Sequence, residues 1–301
     1  MKRLFHIIPL FFLILSCQAF GQTTDNLRQE LQQIISAKNV EVGVAISGNN
    51  NRDTLSINGS NRFPLQSVFK LHIALAILSE IDKGKFSFNQ RIKIEKKDLI
   101  PNLYSPIRDK YPNGTTLPLS KIIEYTVSQS DNVGCELLFK LIGGPQVVED
   151  YFIKNDIKDV SIKINEEVQQ ANWDLQFENW TTPKAANEVL SKFYYNEPKL
   201  LSKESYNFLW KTLKETKTGE SRLKGQLPNN TIVAHKTGSS GTNKEGLTAA
   251  VNDIGIVFLP NGQHYFISVF VTKSYENNET NEKIISDISK ATWNYFIKNQ
   301  K

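Results

Sequence analysis

Cysteine is nearly missing from this chain: two among 301 residues, beside one methionine and four histidines. Cys17 sits in an N-terminal apolar run, so Cys135 has no partner for an intramolecular disulfide and reads as a small core residue. The histidines are scattered. His6 lies in the N-terminal run, and His72, His235 and His264 have no carboxylate or cysteine at ligand spacing, which argues against a metal mechanism. Long hydrophobic runs are scarce too, and none after the N-terminus suits a transmembrane helix. No basic block interleaves with aromatics, so the net charge of +5 reads as a solvated surface, not a nucleic-acid footprint. Internal repeats and low-complexity linkers are absent.

What remains is ordinary globular material, 40% hydrophobic and 22% charged, enough for one large domain or two moderate ones. Lys2 and Arg3 precede the apolar run Leu4 to Leu15, which is too short to span a membrane and reads as a targeting segment. Two processing routes fit. Ala19-Phe-Gly21 suits cleavage before Gln22, and Ile14-Leu-Ser-Cys17 suits a lipobox with Cys17 acylated. Either route exports the protein.

Apolar spacing predicts an amphipathic helix over 25–37, strands at 40–47 and 54–58, and a helix over 282–298. Further strands are expected at 231–235, 253–259 and 265–273. The middle is helical in pattern, with candidates at 119–126, 132–142, 183–193 and 202–215. Strands at both ends and helices between them imply an α/β fold of α+β sandwich type. An antiparallel sheet flanked by the terminal helices would use residues 22–65 and 213–301, and an all-helical domain would use 66–212. Residues 1–21 form the leader.

Three short motifs carry chemistry. Ser67-Val-Phe-Lys70 opens a strongly apolar helix, so Lys70 returns beside the Ser67 hydroxyl one turn later. The pattern is weak by itself, because Ser221-Arg-Leu-Lys224 repeats it and a serine there could simply cap the helix. Ser130-Asp-Asn132 stands between two helix candidates, where it could also be a cap. Lys236-Thr-Gly238 with Ser239 follows an apolar strand, and Gly238 would let a substrate approach the backbone. Its decoy, Lys217-Thr-Gly219, follows a helix and reads as a helix stop. Together, in order and each in its context, the three point to an active site.

That set resembles the serine β-lactamase and penicillin-binding protein superfamily, and within it class A β-lactamases over nearly the whole mature length. Tyr104-Ser-Pro106, Asn179-Trp-Thr-Thr-Pro183 and His235-Lys-Thr-Gly238 resemble the extended-spectrum, cephalosporin-preferring branch common in Bacteroidota. The resemblance implies a cofactor-free hydrolase, monomeric, with its site between an α/β domain and a helical domain, either free in the periplasm or tethered through Cys17. Its substrate would be a β-lactam. Ser67 would be the nucleophile, Lys70 its neighbouring base or field, and Ser130 the proton relay to the lactam nitrogen. Lys236, Thr237 and Ser239 would hold the substrate carboxylate, with Arg222 either a further counter-ion or a surface arginine. Asn132 would bind the acyl-side amide, Tyr104 would line the cleft, and the amides of Ser67 and Ser239 would form the oxyanion hole. The water-activating base would be Glu166, with Glu167 the alternative.

Several positions depart from the family pattern. Gln170 stands where asparagine commonly helps to hold the water, Ile164 where an arginine ties down the loop, and Glu136 where an asparagine contacts it. These leave the loop's conformation open and suggest a cleft enlarged for bulky cephalosporins. The rival readings are a penicillin-binding D,D-peptidase and a sensor domain that acylates once.

Overall fold

The computed structural model describes residues 23–299 apart from Asn49 and Pro198; the leader, Cys17 and both processing sites lie outside the described residues. The strands are β1 (Glu41–Gly48), β2 (Asp53–Ile57), β3 (Phe63–Pro64), β4 (Arg91–Ile94), β5 (Thr115–Pro118), β6 (Val160–Ser161), β7 (Trp180–Thr181), β8 (Val233–Ser239), β9 (Thr248–Phe258) and β10 (His264–Ser274). The first five helices are α1 (Thr24–Ser36), α2 (Phe69–Asp82), α3 (Pro106–Lys110), α4 (Leu119–Ser128) and α5 (Asn132–Ile142). The others are α6 (Pro145–Lys154), α7 (Glu166–Ala171), α8 (Pro183–Tyr195), α9 (Lys203–Lys214) and α10 (Asn278–Lys298).

An antiparallel five-stranded sheet in the order β2-β1-β10-β9-β8 joins strands from the two ends of the chain. Successive side chains alternate between its faces. Val42, Val44, Ile46, Ile267 and Val269 face α1 and α10, where they pack with Leu27, Leu31, Ile284 and Ile288. Ile254, Ile256, Phe266 and Phe270 face the other way, into the cluster built around α2. Both faces are therefore covered, and each buried Val, Leu, Ile or Phe contributes about 1.5–3 kcal/mol of burial. In α2 every residue from Phe69 to Ser79 is buried, as expected for a helix that is apolar on all sides. Among the described residues no helix is long and apolar enough to cross a membrane.

Some boundaries differ from the sequence expectation. The strand expected at 231–235 is β8, which starts at Val233 and runs through Ser239, so Lys236-Thr-Gly238 lies inside a paired strand. β9 begins at Thr248 and not Asp253, because Thr248 to Asn252 already pair with β10. With nearly every β9 residue buried on one face or the other, no alternation marked its start. α10 begins at Asn278, where the Asn277 side chain caps the Thr280 amide.

Candidate active site

The Ser67 segment is a short 3₁₀ turn, Gln66–Val68, that leads directly into α2. Ser67 caps neither element, so the capping reading fails and its hydroxyl is left for other work. Lys70 Nζ donates to Ser67 Oγ at 2.8 Å and to the Ser130 carbonyl at 3.1 Å, and also bonds Asn132 Oδ1. It pairs with Glu166 Oε1 at 2.7 Å. Four acceptors surround a group with three hydrogens. Ser67 Oγ itself lies 3.4 Å from Glu166 Oε1.

Ser130-Asp-Asn132 contains one cap, not three. Asp131 caps α5, accepting from the Gly134 amide at 2.7 Å, and it also accepts from the Ile107 amide and from Ser105 Oγ. Burial raises its carboxyl above the usual range, against those hydrogen bonds. Because Asp131 does the capping, Ser130 is released into a left-handed conformation (φ 59°) between the two lysines. Lys236 Nζ donates to Ser130 Oγ at 3.1 Å. The Asn132 amide nitrogen of the backbone donates to the Tyr104 carbonyl, which ties this turn to the Tyr104-Ser-Pro106 segment.

Lys236 is fully buried. Desolvation first, and the positive charge of Lys70 second, push its ammonium well below the usual lysine range. Gly238 lines the cleft and has a further reason that the sequence did not show. A Cβ there would lie 2.6 Å from the Leu65 carbonyl oxygen, so the residue admits the chain's own Ser67 segment. The second Lys-Thr-Gly is also not a helix stop, since α9 ends at Lys214 and Gly219 sits at φ +71° against Thr237. Thr218 Oγ1 bonds Thr237 Oγ1 at 2.5 Å, and Thr218 lines the cleft. Ser221 of the other decoy bonds Glu282 and takes no part.

Arg222 is buried, which removes its reading as a surface arginine. Its guanidinium donates to Ser239 Oγ at 2.6 Å, to the carbonyls of Gly238 and Asn252, and to Glu282. His235 is likewise not isolated: its Nδ1 lies 2.9 Å from Asp253 Oδ1, and both side chains are closed to solvent. Asp253 also accepts from the Leu223 amide, so one carboxylate ties β8 to the turn that bears Arg222. The sequence hid this pair because its members are 18 residues apart on neighbouring strands.

Glu166 opens α7 and is 1% exposed, while Glu167 is exposed and turned away. The loop around them is held without the family's arginine. Glu136 accepts from Asn165 Nδ2 at 2.8 Å and from the Glu167 amide at 3.1 Å. Asn179 Oδ1 accepts from the amides of Lys163 and Ile164, and its Nδ2 donates to the Ile164 carbonyl. Gln169, next to the expected Gln170, is the buried one. Its Nε2 donates to Gln66 Oε1 at 2.9 Å, and Gln66 Nε2 donates to the Gln176 carbonyl at 3.0 Å. Gln66 is itself in a left-handed conformation (φ 47°), a strain that the glutamine network holds in place.

These groups meet in a cleft of about 360 Å³ lined by Ser67, Tyr104, Ser130, Asn132, Glu166, Gln170, Arg222, Thr237, Gly238 and Ser239. Lys70 and Lys236 stand behind them through their bonds to Ser67 and Ser130. Asn102, Leu103, Thr218, Ser240 and Gly241 complete the wall; Thr218 belongs to the motif set aside as a decoy, and Asn102 and Leu103 carried no sequence signal.

Residues 26–296 match the β-lactamase enzyme family. The chain belongs to that family, as a class A β-lactamase. It is a serine hydrolase that opens the β-lactam amide through an acyl-enzyme. It is 54% identical to the β-lactamase VEB-1 of Pseudomonas aeruginosa over 97% of this chain and 96% of that protein. It is 41% identical to the extended-spectrum β-lactamase PER-1 of the same organism, over 90% and 88% of the two chains. A solved β-lactamase from Chitinophaga pinensis superposes with a TM-score of 0.87 at 47% identity, covering 89% of this chain and 98% of that one. In this fold residues of all three motifs read from the sequence meet at one cleft.

Proposed function

We propose that this β-lactamase works with Ser67 as nucleophile and Glu166 as the base that activates the deacylating water. The observation that carries the assignment is Lys70 Nζ, set 2.8 Å from Ser67 Oγ and 2.7 Å from Glu166 Oε1, with the Lys70 and Glu166 side chains both buried at the floor of the cleft. Ser67 Oγ attacks the lactam carbonyl while its proton passes to the Lys70–Glu166 pair. The amides of Ser67 and Ser239 stabilise the oxyanion. Ser130 Oγ accepts from Lys236, so its own proton is available for the departing lactam nitrogen. Asn132 Oδ1 is occupied by Lys70, which leaves its NH₂ to donate to the acyl-side amide. Lys236, Thr237 and Ser239 bind the substrate carboxylate, and Arg222 holds Ser239 in place. Water activated by Glu166 then cleaves the ester and restores Ser67.

The substrates include oxyimino-cephalosporins. The relative PER-1 is named extended-spectrum, and Gln170 leaves its position on the cleft wall without the family's asparagine. The enzyme is exported, either free in the periplasm or tethered through Cys17, and acts as a monomer. Its lobes are 22–65 with 213–301, and 66–212. A chromogenic cephalosporin mixed with the purified protein tests the whole reading. Many turnovers without a lasting adduct support it, and a single burst leaving a stable adduct on Ser67 overturns it in favour of the peptidase or sensor. Turnover confined to small penicillins overturns the cephalosporin assignment alone.

A further inference from the structure

A second cavity, of about 640 Å³ against about 360 Å³ for the cleft, lies between the sheet and α8. It arises because the β1 residues on the face toward α8 are small. Gly43 is covered by Phe63 and Pro183, but beyond it Ala45 and Ser47 leave the space under the helix unfilled. Here α8 presents Lys184, Asn187, Glu188, Ser191 and Lys192, which recur at helical spacing as one polar stripe. Arg28 of α1 enters the same wall.

Among the described residues the charge is unbalanced, and two of its three positive carriers are held by neutral groups alone. Arg28 Nη1 donates to the Ser56 carbonyl at 2.7 Å, and Lys184 Nζ to Ser60 Oγ at 3.3 Å. Lys192 Nζ donates to the Asn155 carbonyl at 2.8 Å and stands 3.6 Å from Glu188 Oε1. Three cations thus share the cavity with one carboxylate. Between them Asn187, 7% exposed, accepts from Ser268 Oγ and donates to the Phe266 carbonyl at 3.5 Å, so its NH₂ keeps a hydrogen for the cavity. Lys184 and Lys192 are eight residues apart on α8, about 12 Å along its axis. One monovalent ion does not span that distance.

We propose that this cavity binds a small multivalent oxyanion, a molecule with at least two phosphate or carboxylate groups. One end pairs with Arg28 and Lys184, the other with Lys192, and the Asn187 amide bonds the part between. The volume lies within the range of small-molecule sites, and paired cations with a buried amide are the donors such a ligand requires.

Tripolyphosphate and citrate serve as probes, titrated into the purified protein with ionic strength held constant by KCl. The expected result is a saturable rise in unfolding temperature with at least one probe, accompanied by a shift of the Asn187 side-chain amide resonance. Lys184→Gln and Lys192→Gln should each weaken binding at least tenfold by calorimetry, and Ser47→Leu should abolish it by filling the space. Cephalosporin turnover should be unchanged in all three variants. The lysine variants keep the test sound if Ser47→Leu, inside β1, fails to fold. A response that does not saturate, an affinity unaltered in both lysine variants, or an unmoved Asn187 resonance overturns the proposal.

Discussion

Lys70 Nζ lies 2.7 Å from Glu166 Oε1, and neither side chain has meaningful contact with solvent. A buried pair of this kind is costly to break on one side only, because the remaining charge has neither water nor partner. Lys70 and Glu166 are therefore one unit, anchored in α2 at one end and α7 at the other.

Replacing Glu166 by alanine should slow deacylation about 10²- to 10⁴-fold, the usual contribution of a positioned general base. The acyl-enzyme should then accumulate on Ser67 and appear by intact mass after brief mixing with a cephalosporin. Glu167→Ala should turn over without an adduct. Trapping by Glu167→Ala, and not by Glu166→Ala, would reverse the assignment of the base.

Lys236 sets an alkaline limit. Burial and Lys70 hold its ammonium well below the usual lysine range, so in the free enzyme it loses its charge as pH rises, before an exposed lysine would. The pH profile of kcat/KM for a carboxylate-bearing β-lactam should fall on that limb. The kcat profile should hold to higher pH, because the bound carboxylate favours the charged form. Lys236→Arg should remove the limb while lowering kcat/KM, since arginine stays protonated throughout.

Glu136 holds the loop that bears Glu166. Glu136→Ala leaves the Asn165 amide group and the Glu167 N–H without their acceptor, and should cost roughly 1–3 kcal/mol in urea unfolding. Burst kinetics should show deacylation slowed more than acylation. Equal slowing of both steps would mean that Glu136 supports the fold at large and not this loop.

His72 makes stability depend on pH. Burial lowers its pKa to about 4, with its ring packed 4.7 Å from that of Phe152. As pH falls from about 6.5, the unfolded chain takes up a proton that the native state refuses until about 4. Unfolding free energy should therefore drop across that window, by roughly 3 kcal/mol, and level off below it. His72→Leu should flatten this part of the profile.

The chemistry was legible where it was local. Ser67 with Lys70, Ser130 with Asn132, and Lys236 to Ser239 are each a few residues long, and the structure brings all three to one cleft. The decoys were separable by context, since Ser221 opens no apolar helix and Lys217-Thr-Gly219 follows a helix and not a strand. What escaped was long-range. Nothing near Gln169 in the sequence announces a partner at Gln66, 103 residues away. The same holds for His235 with Asp253 and for Arg222 with Glu282. Short elements such as β6, β7 and α7 also escaped, because two to six residues cannot display a period.

The strand order has a consequence for when the enzyme first becomes active. β1 pairs with β10, so the two earliest strands have no sheet to join until the last hairpin has been made. The segment holding Ser67 rests on Gly238 of β8, and β8 is held in turn by β9. A chain that already contains the serine, both lysines of the site and the glutamate, but ends before β9, should therefore be catalytically silent in a cephalosporin turnover assay. Pairing over such sequence distances is intrinsically slow, and activity should appear as a single late event once the final strands are complete.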